Sequence, residues 1–149
     1  MFIKNVLEYL ENSAKNFPDK IAYTDETGEI TFSNLLLEAK KIGTKIAKYT
    51  DKTSKPIGVI TGRNYKCLVA FFGVLYSGNF YVPIDSEMPE VRLGHILKNL
   101  EPEVILYNEN DKNSGAVEDG KIAYQVRNNN NGSYINYTSD VSVNYQVGL

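Results

Sequence analysis

Few residues in this 149-residue chain are of types that carry chemistry. His95 is the only histidine and Cys67 the only cysteine, too few for a structural zinc site, which usually takes four protein ligands. In its helical pattern His95 reads as a surface or half-buried residue rather than a base or ligand. Cys67 lies on an apolar helix and reads as core. Arg63 follows a strand and could face a cleft at the strand ends, although a solvated turn arginine is the commoner case. The 11 tyrosines are scattered, without the interleaved basic residues that a stacking platform for single-stranded nucleic acid needs.

Three local strings stand out. The first is Ile30-Thr31-Phe32-Ser33-Asn34-Leu35, a strand that turns into a capped helix. The second runs from Leu75-Tyr76-Ser77-Gly78-Asn79 through Phe80-Tyr81-Val82-Pro83-Ile84-Asp85. The third is Tyr134-Ile135-Asn136-Tyr137-Thr138-Ser139. The second has a full structural explanation. Gly78 permits a tight helix exit with positive φ, Phe80 to Val82 favour a strand, and Pro83 cannot donate to a ladder and so ends pairing. Asp85 can cap or brace a loop. None of these is an evident acid, base or nucleophile.

The elements that must position these strings follow from periodicity. Asn5 caps a first helix, with Glu8 placed to reach back in a capping box; Val6, Leu7, Leu10 and Ala14 share a face, and Pro18 stops the helix. Ile21 to Thr24 and Glu29 to Phe32 are strands joined by an Asp25-Glu26-Thr27-Gly28 turn. Ser33 caps a second helix carrying Leu35, Ala39, Ile42 and Ile46, which Gly43 weakens without ending. Pro56 to Ile60 is a buried strand. Asn64 caps a helix from Tyr65 to Tyr76, apolar nearly all round as befits deep packing against a sheet. Phe80 to Val82 is a second buried strand. Pro89 opens another helix with Val91, Ile96, Leu97 and Leu100 inside, and Pro102 ends it. Val104 to Tyr107 is a third buried strand, and Ile122 to Val126 adds a further one. The alternation of strand and helix from Ile57 to Tyr107 predicts parallel βαβ units and an α/β fold, a parallel or mixed sheet with flanking helices.

Bulk composition agrees with one ordinary domain. Hydrophobic residues make up 42% and charged residues 23%, and the formal net charge is -2, which is average for a globular chain and leaves no electrostatic footprint for nucleic acid or an anionic membrane. The longest apolar run, Cys67 to Tyr76, is too short to span a bilayer. No segment reads as a signal peptide, and a single cysteine allows no internal disulfide, so a reducing cytoplasm is the default expectation. Composition shifts at Asn128: residues 128–149 hold six asparagines, one acid and no Lys or Arg.

Taken together, the three strings resemble the opening of the adenylate-forming (AMP-binding) superfamily. Ile30 to Leu35 is similar to its L-T-Y-x-E-L motif, with Phe32 for the Tyr and Asn34 for the Glu. Leu75 to Asp85 is similar to L-K-A-G-x-A-Y-V-P-I-D, matching at Leu75, Gly78 and Tyr81 to Asp85. Asn16 to Ala22 and Pro89 to Leu97 resemble the surrounding phrases, so the likeness covers about residues 5–107. The Tyr81–Asp85 form looks more like amino-acid-activating members, the peptide-synthetase adenylation domains and D-alanine–carrier-protein ligases. The direct start at the adenylation region suits a stand-alone ligase, without separating the two.

The resemblance implies ATP and Mg in the intact family, a carrier protein as acceptor, and a third motif, Y-T-S-G-[ST]-T-G-x-P-K-G, whose glycines and hydroxyls cradle phosphate. Here Tyr137, Thr138 and Ser139 match it, and Asp140 then replaces the first glycine. Thr138 and Ser139 are therefore the expected remnant of the ATP phosphate loop. No catalytic residue and no metal ligand is expected, and no lysine follows Lys121. The expected organisation is an N-terminal adenylation subdomain at 1–127 and an Asn-rich divergent tail at 128–149, poorly ordered or paired as an edge strand. The loss of pattern in mid-motif suggests truncation, a frameshift or a fragmentary gene model of an amino-acid-activating ligase, inactive alone and binding no cofactor by itself. The alternatives are a non-catalytic interaction module or half of a split ligase, and an unrelated βαβ domain. Expected partners are the missing C-terminal half or a second copy, through an exposed subdomain face, with no nucleic acid and no membrane.

Overall fold

The computed structural model describes residues 2, 4–62, 64–102, 104–107, 116–118, 121–127, 134–138 and 142–144. Helix α1 spans Val6–Asn16. It starts where Asn5 Oδ1 accepts the Glu8 N–H at 3.1 Å. The capping box forms only in part: Glu8 Oε2 accepts from Lys4 N–H at 2.9 Å, not from Asn5. Leu10 and Ala14 are buried as predicted, but Val6 is exposed, because the first turn projects beyond the core.

Strands β1 (Ile21–Asp25) and β2 (Gly28–Thr31) form an antiparallel hairpin. The second strand stops at Thr31, and Phe32 already opens helix α2 (Phe32–Ala47). The cap is therefore Thr31, whose Oγ1 accepts from Asn34 N–H at 3.3 Å, and not Ser33, which sits one step inside the first turn. Leu35, Ala39, Ile42 and Ile46 are buried at the predicted spacing.

The core of the fold is β3 (Pro56–Thr61), α3 (Lys66–Tyr76), β4 (Phe80–Asp85), α4 (Glu90–Leu100) and β5 (Val104–Tyr107). Further strands are β6 (Ala116–Glu118), β7 (Lys121–Arg127), β8 (Tyr134–Thr138) and β9 (Ser142–Asn144). The main sheet has the order β4-β3-β5-β9, and every pairing in it is parallel. β6, β7 and β8 form a separate antiparallel sheet.

Side chains alternate between the two faces of the main sheet. Ile57, Val59, Val104 and Leu106 join α2 and α3 residues in one cluster, whereas Ile60, Ile84 and Ile105 meet Leu93 and Leu97 of α4 in another. This follows from topology. The chain steps from β3 outward to β4, then crosses back over β3 to β5, and right-handed crossovers in opposite directions place their helices on opposite faces.

Two expectations about this unit need correction. Among the described residues β4 is an edge strand rather than a buried one, with Phe80 47% and Tyr81 38% exposed, and Pro83 does not end it. Phe80 N–H donates to Lys55 O and Ser86 N–H to Thr61 O. By the two-residue period, the nitrogens of residues 81, 83 and 85 point away from β3. Pro83 thus lacks its N–H on the unpaired side, where none is required. In α4 the buried face centres on Leu93 and Leu97, while Val91, Ile96 and Leu100 are half-buried. Pro89 is the residue before the helix, not its first turn, and Glu101 at φ 45 ends it.

α2 and α3 cross at two glycines. A Cβ on Gly43 would lie 2.8 Å from Tyr76 Cβ, and one on Gly73 would lie 2.4 Å from Ile42 Cγ2. Gly43 is thus a contact residue, in addition to weakening its helix.

Candidate functional site

In open α/β sheets ligands sit outside the carboxyl ends of the strands, next to the point where successive connections diverge. Here that point lies at the ends of β3 and β5, with β4 alongside. Thr61, the last residue of β3, stands opposite Asp85, the last of β4. Its hydroxyl donates to Ile84 O at 3.2 Å, and its carbonyl accepts from Ser86 N–H at 3.3 Å. Asp85 Oδ1 accepts from Glu87 N–H at 2.9 Å, so the acid of the second string braces the loop, as expected. Gly78, at φ 80, makes the predicted tight exit from α3.

The loop after β3 is held from several directions. Cys67 is buried and its Sγ–H donates to Gly62 O at 3.2 Å, which fits the reading as core. Asn64 Oδ1 accepts from Lys66 N–H at 3.1 Å, closing a local turn ahead of α3, but Asn64 is not the expected cap: the cap position is Tyr65, which makes no side-chain cap bond. Tyr65 N–H donates to Asp25 Oδ2, tying the β1–β2 turn to the start of α3. Asp25 Oδ1 also takes the Thr27 hydroxyl at 2.5 Å and the Thr27 N–H at 2.7 Å. These bonds, the Thr27 hydroxyl first, hold the Asp25 carboxyl below its usual range. Burial pushes the Tyr65 phenol up, and the Asp25 charge adds to this.

This end of the sheet can brace loops. The side chains of Asp25, Thr27, Thr61, Asn64, Cys67 and Asp85 bond to backbone or to each other, and they form no nucleophile–base pair. Among the described residues no group of three or more His, Cys, Asp or Glu side chains is placed to hold a metal. His95 is exposed on α4, away from a ligand set. Arg63 lies outside the described residues. Thr138 is the last residue of β8 and pairs with Ala123 of β7; Ser139 and Asp140 lie outside the described residues. Four positions after Thr138, Ser142 opens β9 beside Ile105.

Sequence reasoning missed two features. One is the Asp25 clasp, whose local signal was a Thr two residues after an Asp in a turn, an arrangement that favours side-chain closure. The other is an open groove of about 640 Å³ along the outer side of α2, lined by Lys40, Lys41, Lys45 and Lys48 with Leu37 and Tyr49. No helix among the described residues is long and apolar enough to cross a membrane.

Comparison with known proteins places this geometry. The sequence pattern of the AMP-binding enzymes matches residues 10–143. A mycosubtilin synthase protein of Bacillus subtilis is 27% identical over 91% of this chain and 6% of its own length. Tyrocidine synthase 1 of Brevibacillus parabrevis is 27% identical over 69% of this chain and 10% of its own. Among solved structures, the nonribosomal peptide synthetase FmoA3 in its AMPPNP-bound form superposes with a TM-score of 0.71 at 18% identity, over 92% of this chain and 13% of that one. PA1221, a peptide-synthetase protein with adenylation and PCP domains, gives 0.63 at 20% identity over 68% of this chain and 18% of that one. The fold is thus that of the adenylation enzymes, and the chain spans a small part of each relative's length. With its pattern matched over most of its residues, this chain belongs to the AMP-binding enzyme family.

Proposed function

We propose that residues 1–127 are the N-terminal subdomain of an ATP-dependent, amino-acid-activating ligase, that residues 128–149 are a divergent tail, and that the chain alone forms no adenylate. The observation that carries this is Asp140. Thr138 and Ser139 stand where the family's phosphate loop begins, and in this reading they are its remnant. Asp140 then puts a carboxylate where a glycine would let backbone N–H groups approach phosphate. Two hydroxyls followed by an anion do not fit a triphosphate, so no step of adenylate chemistry is assigned to these residues. The substrate class rests on the Tyr81–Asp85 string and on the peptide synthetases among the relatives. ATP–pyrophosphate exchange with a panel of amino acids tests the reading. The expected result is no exchange above a protein-free blank, and robust exchange with any amino acid overturns it.

A second reading, half of a two-part ligase, is favoured by one surface. Leu68, Phe71, Phe72 and Leu75 recur at helical spacing on α3 and stay half-buried, and Tyr81 of the edge strand stacks on Phe71 with ring centroids 4.3 Å apart. An apolar stripe of this kind suits a second subdomain. Co-expression with a separately encoded remainder of an adenylation domain tests it: co-purification and exchange activity are expected of a split enzyme, and separate elution counts against it. A carrier protein enters as partner only through such an assembled enzyme; PA1221 is an example that contains both adenylation and PCP domains.

A further inference from the structure

We infer that the outer side of α2 is a docking surface for an acidic amphipathic helix of a partner protein. α2 carries two interleaved stripes. Leu35, Ala39, Ile42 and Ile46 face the core. Leu37, Lys40, Lys41, Lys45 and Lys48 follow the opposite side, and with Tyr49 they line one open groove of about 640 Å³.

Charge selects the partner. Between the acids Glu38 and Asp51 the chain has four lysines and no acid, a local net charge of about +2 with both flanking acids counted, within a protein of net charge -2. The positive groove is therefore a local feature, not part of a basic molecule. Glu38, the acid on the adjoining turn, is buried and engaged with Lys41 Nζ at 2.7 Å. Lys40 Nζ lies 5.7 Å from the centre of the Tyr76 ring. Both contacts hold lysine stems against the protein surface.

Shape narrows the choice further. Leu37 and Tyr49 are each 52% exposed and bracket the lysines at the two ends. The stripe from residue 37 to 48 is about 17 Å long, or about three helical turns. A helix of that length with carboxylates along one side and an apolar residue at each end meets every feature of the groove. Nucleic acid fits less well. All four cations are lysines, with none of the arginine forks that grip phosphate in two places, and the apolar brackets have no role against a phosphate backbone. Docking at α2 requires no adenylate chemistry, so its test is independent of the exchange assay.

The test uses a synthetic helical peptide of about fourteen residues, with glutamates on one side and a leucine near each end, and its glutamine counterpart. Fluorescence anisotropy with the full chain is expected to show binding of the glutamate peptide that weakens with salt, and no binding of the glutamine peptide. Reversing three charges together, Lys40→Glu, Lys45→Glu and Lys48→Glu, is expected to weaken binding at least about tenfold, and Leu37→Ala about fivefold. On the unsubstituted protein, bound peptide is expected to protect Lys40, Lys41, Lys45 and Lys48 from amine acetylation, which needs no variant to fold. Absence of binding, absence of protection, or unchanged affinity in the triple variant overturns the proposal. Equal or tighter binding of a short DNA duplex, or of phosphatidylserine vesicles, with protection of the same lysines also overturns it, in favour of a polyanion or a membrane.

Discussion

Gly73 of α3 lies so close to Ile42 of α2 that a Cβ on the glycine would come within 2.4 Å of the isoleucine's Cγ2 and 3.2 Å of the Ala39 carbonyl. Two effects oppose each other if alanine is placed there. Helix propensity favours alanine over glycine by about 1 kcal/mol. Overpacking against a branched side chain and a carbonyl of the neighbouring helix costs about 3 kcal/mol. Gly73→Ala is therefore expected to lower stability by about 2 kcal/mol, measured as a lower urea midpoint with an unchanged slope. A midpoint that rises would show that the helices separate freely and that the close crossing is not required.

Asp25 joins the hairpin turn to α3 through the Tyr65 N–H, and its carboxyl is held below the ordinary value of 3.8. A carboxyl with a lowered folded pKa stabilises the fold above its unfolded value, and that contribution is lost as pH falls through the folded value. The Asp25→Asn variant is expected to be less stable than the parent at neutral pH, with the gap closing below pH 3.8. Urea titrations of both proteins across that range measure it. Thr27→Val removes the leading cause of the shift and is expected to move the Asp25 titration upward by carbon-detected NMR. A gap that persists unchanged into strong acid would rule out the carboxylate as its origin.

How much of this was legible depends on how local each cause is. The run from β3 to β5 was readable because each apolar strand is bounded by its own turn residues, such as Gly62, Gly78 and Pro102, and α2 because Leu35, Ala39, Ile42 and Ile46 repeat along a single helix. Pro83 resembles a stop in the sequence because its tolerance depends on which side of β4 lacks a neighbour, and that is a property of the whole sheet. Thr31 and Ser33 are both able to cap, and only the end of the hairpin decides between them. The Asp25–Tyr65 clasp and the Gly43–Gly73 crossing join residues some thirty to forty positions apart, a distance over which spacing carries no signal. For the phosphate-loop remnant the string Tyr137-Thr138-Ser139 was visible, as was its break at Asp140, because both are adjacent residues.

Tyr76 donates its hydroxyl hydrogen to Glu11 Oε1 at 2.8 Å, bridging α3 and α1. Burial, then the Glu11 carboxylate, raises the phenol far above its ordinary value of 10.0. The sign is opposite to that of Asp25. A raised acid stabilises the fold while both states are protonated, and the contribution is lost as pH climbs above the unfolded value toward the folded one. The parent is expected to lose stability above pH 10, and Tyr76→Phe to flatten that loss. At neutral pH the substitution is expected to cost less than about 1 kcal/mol, because the bond lies at the surface and is screened. Thermal melts from pH 7 to 11 compare the two proteins, and parallel curves would disprove the link.

The half-buried stripe of α3 yields a prediction about association. Phe71 of this stripe stacks on Tyr81 of the edge strand β4, whose outer side is protected from strand addition by Pro83. At this edge two copies can therefore meet through side chains rather than by adding a strand to β4. The small net charge of -2 opposes such contact weakly. Sedimentation velocity is expected to show reversible association that grows with protein concentration and tightens with added sulfate, as burial of apolar surface requires. Leu75→Glu is expected to weaken it while leaving the circular dichroism spectrum unchanged, since this side chain is half-buried and belongs to neither core cluster. A parent protein that remains monomeric at high concentration, or a variant that associates as tightly as the parent, would show that this stripe is not the contact surface.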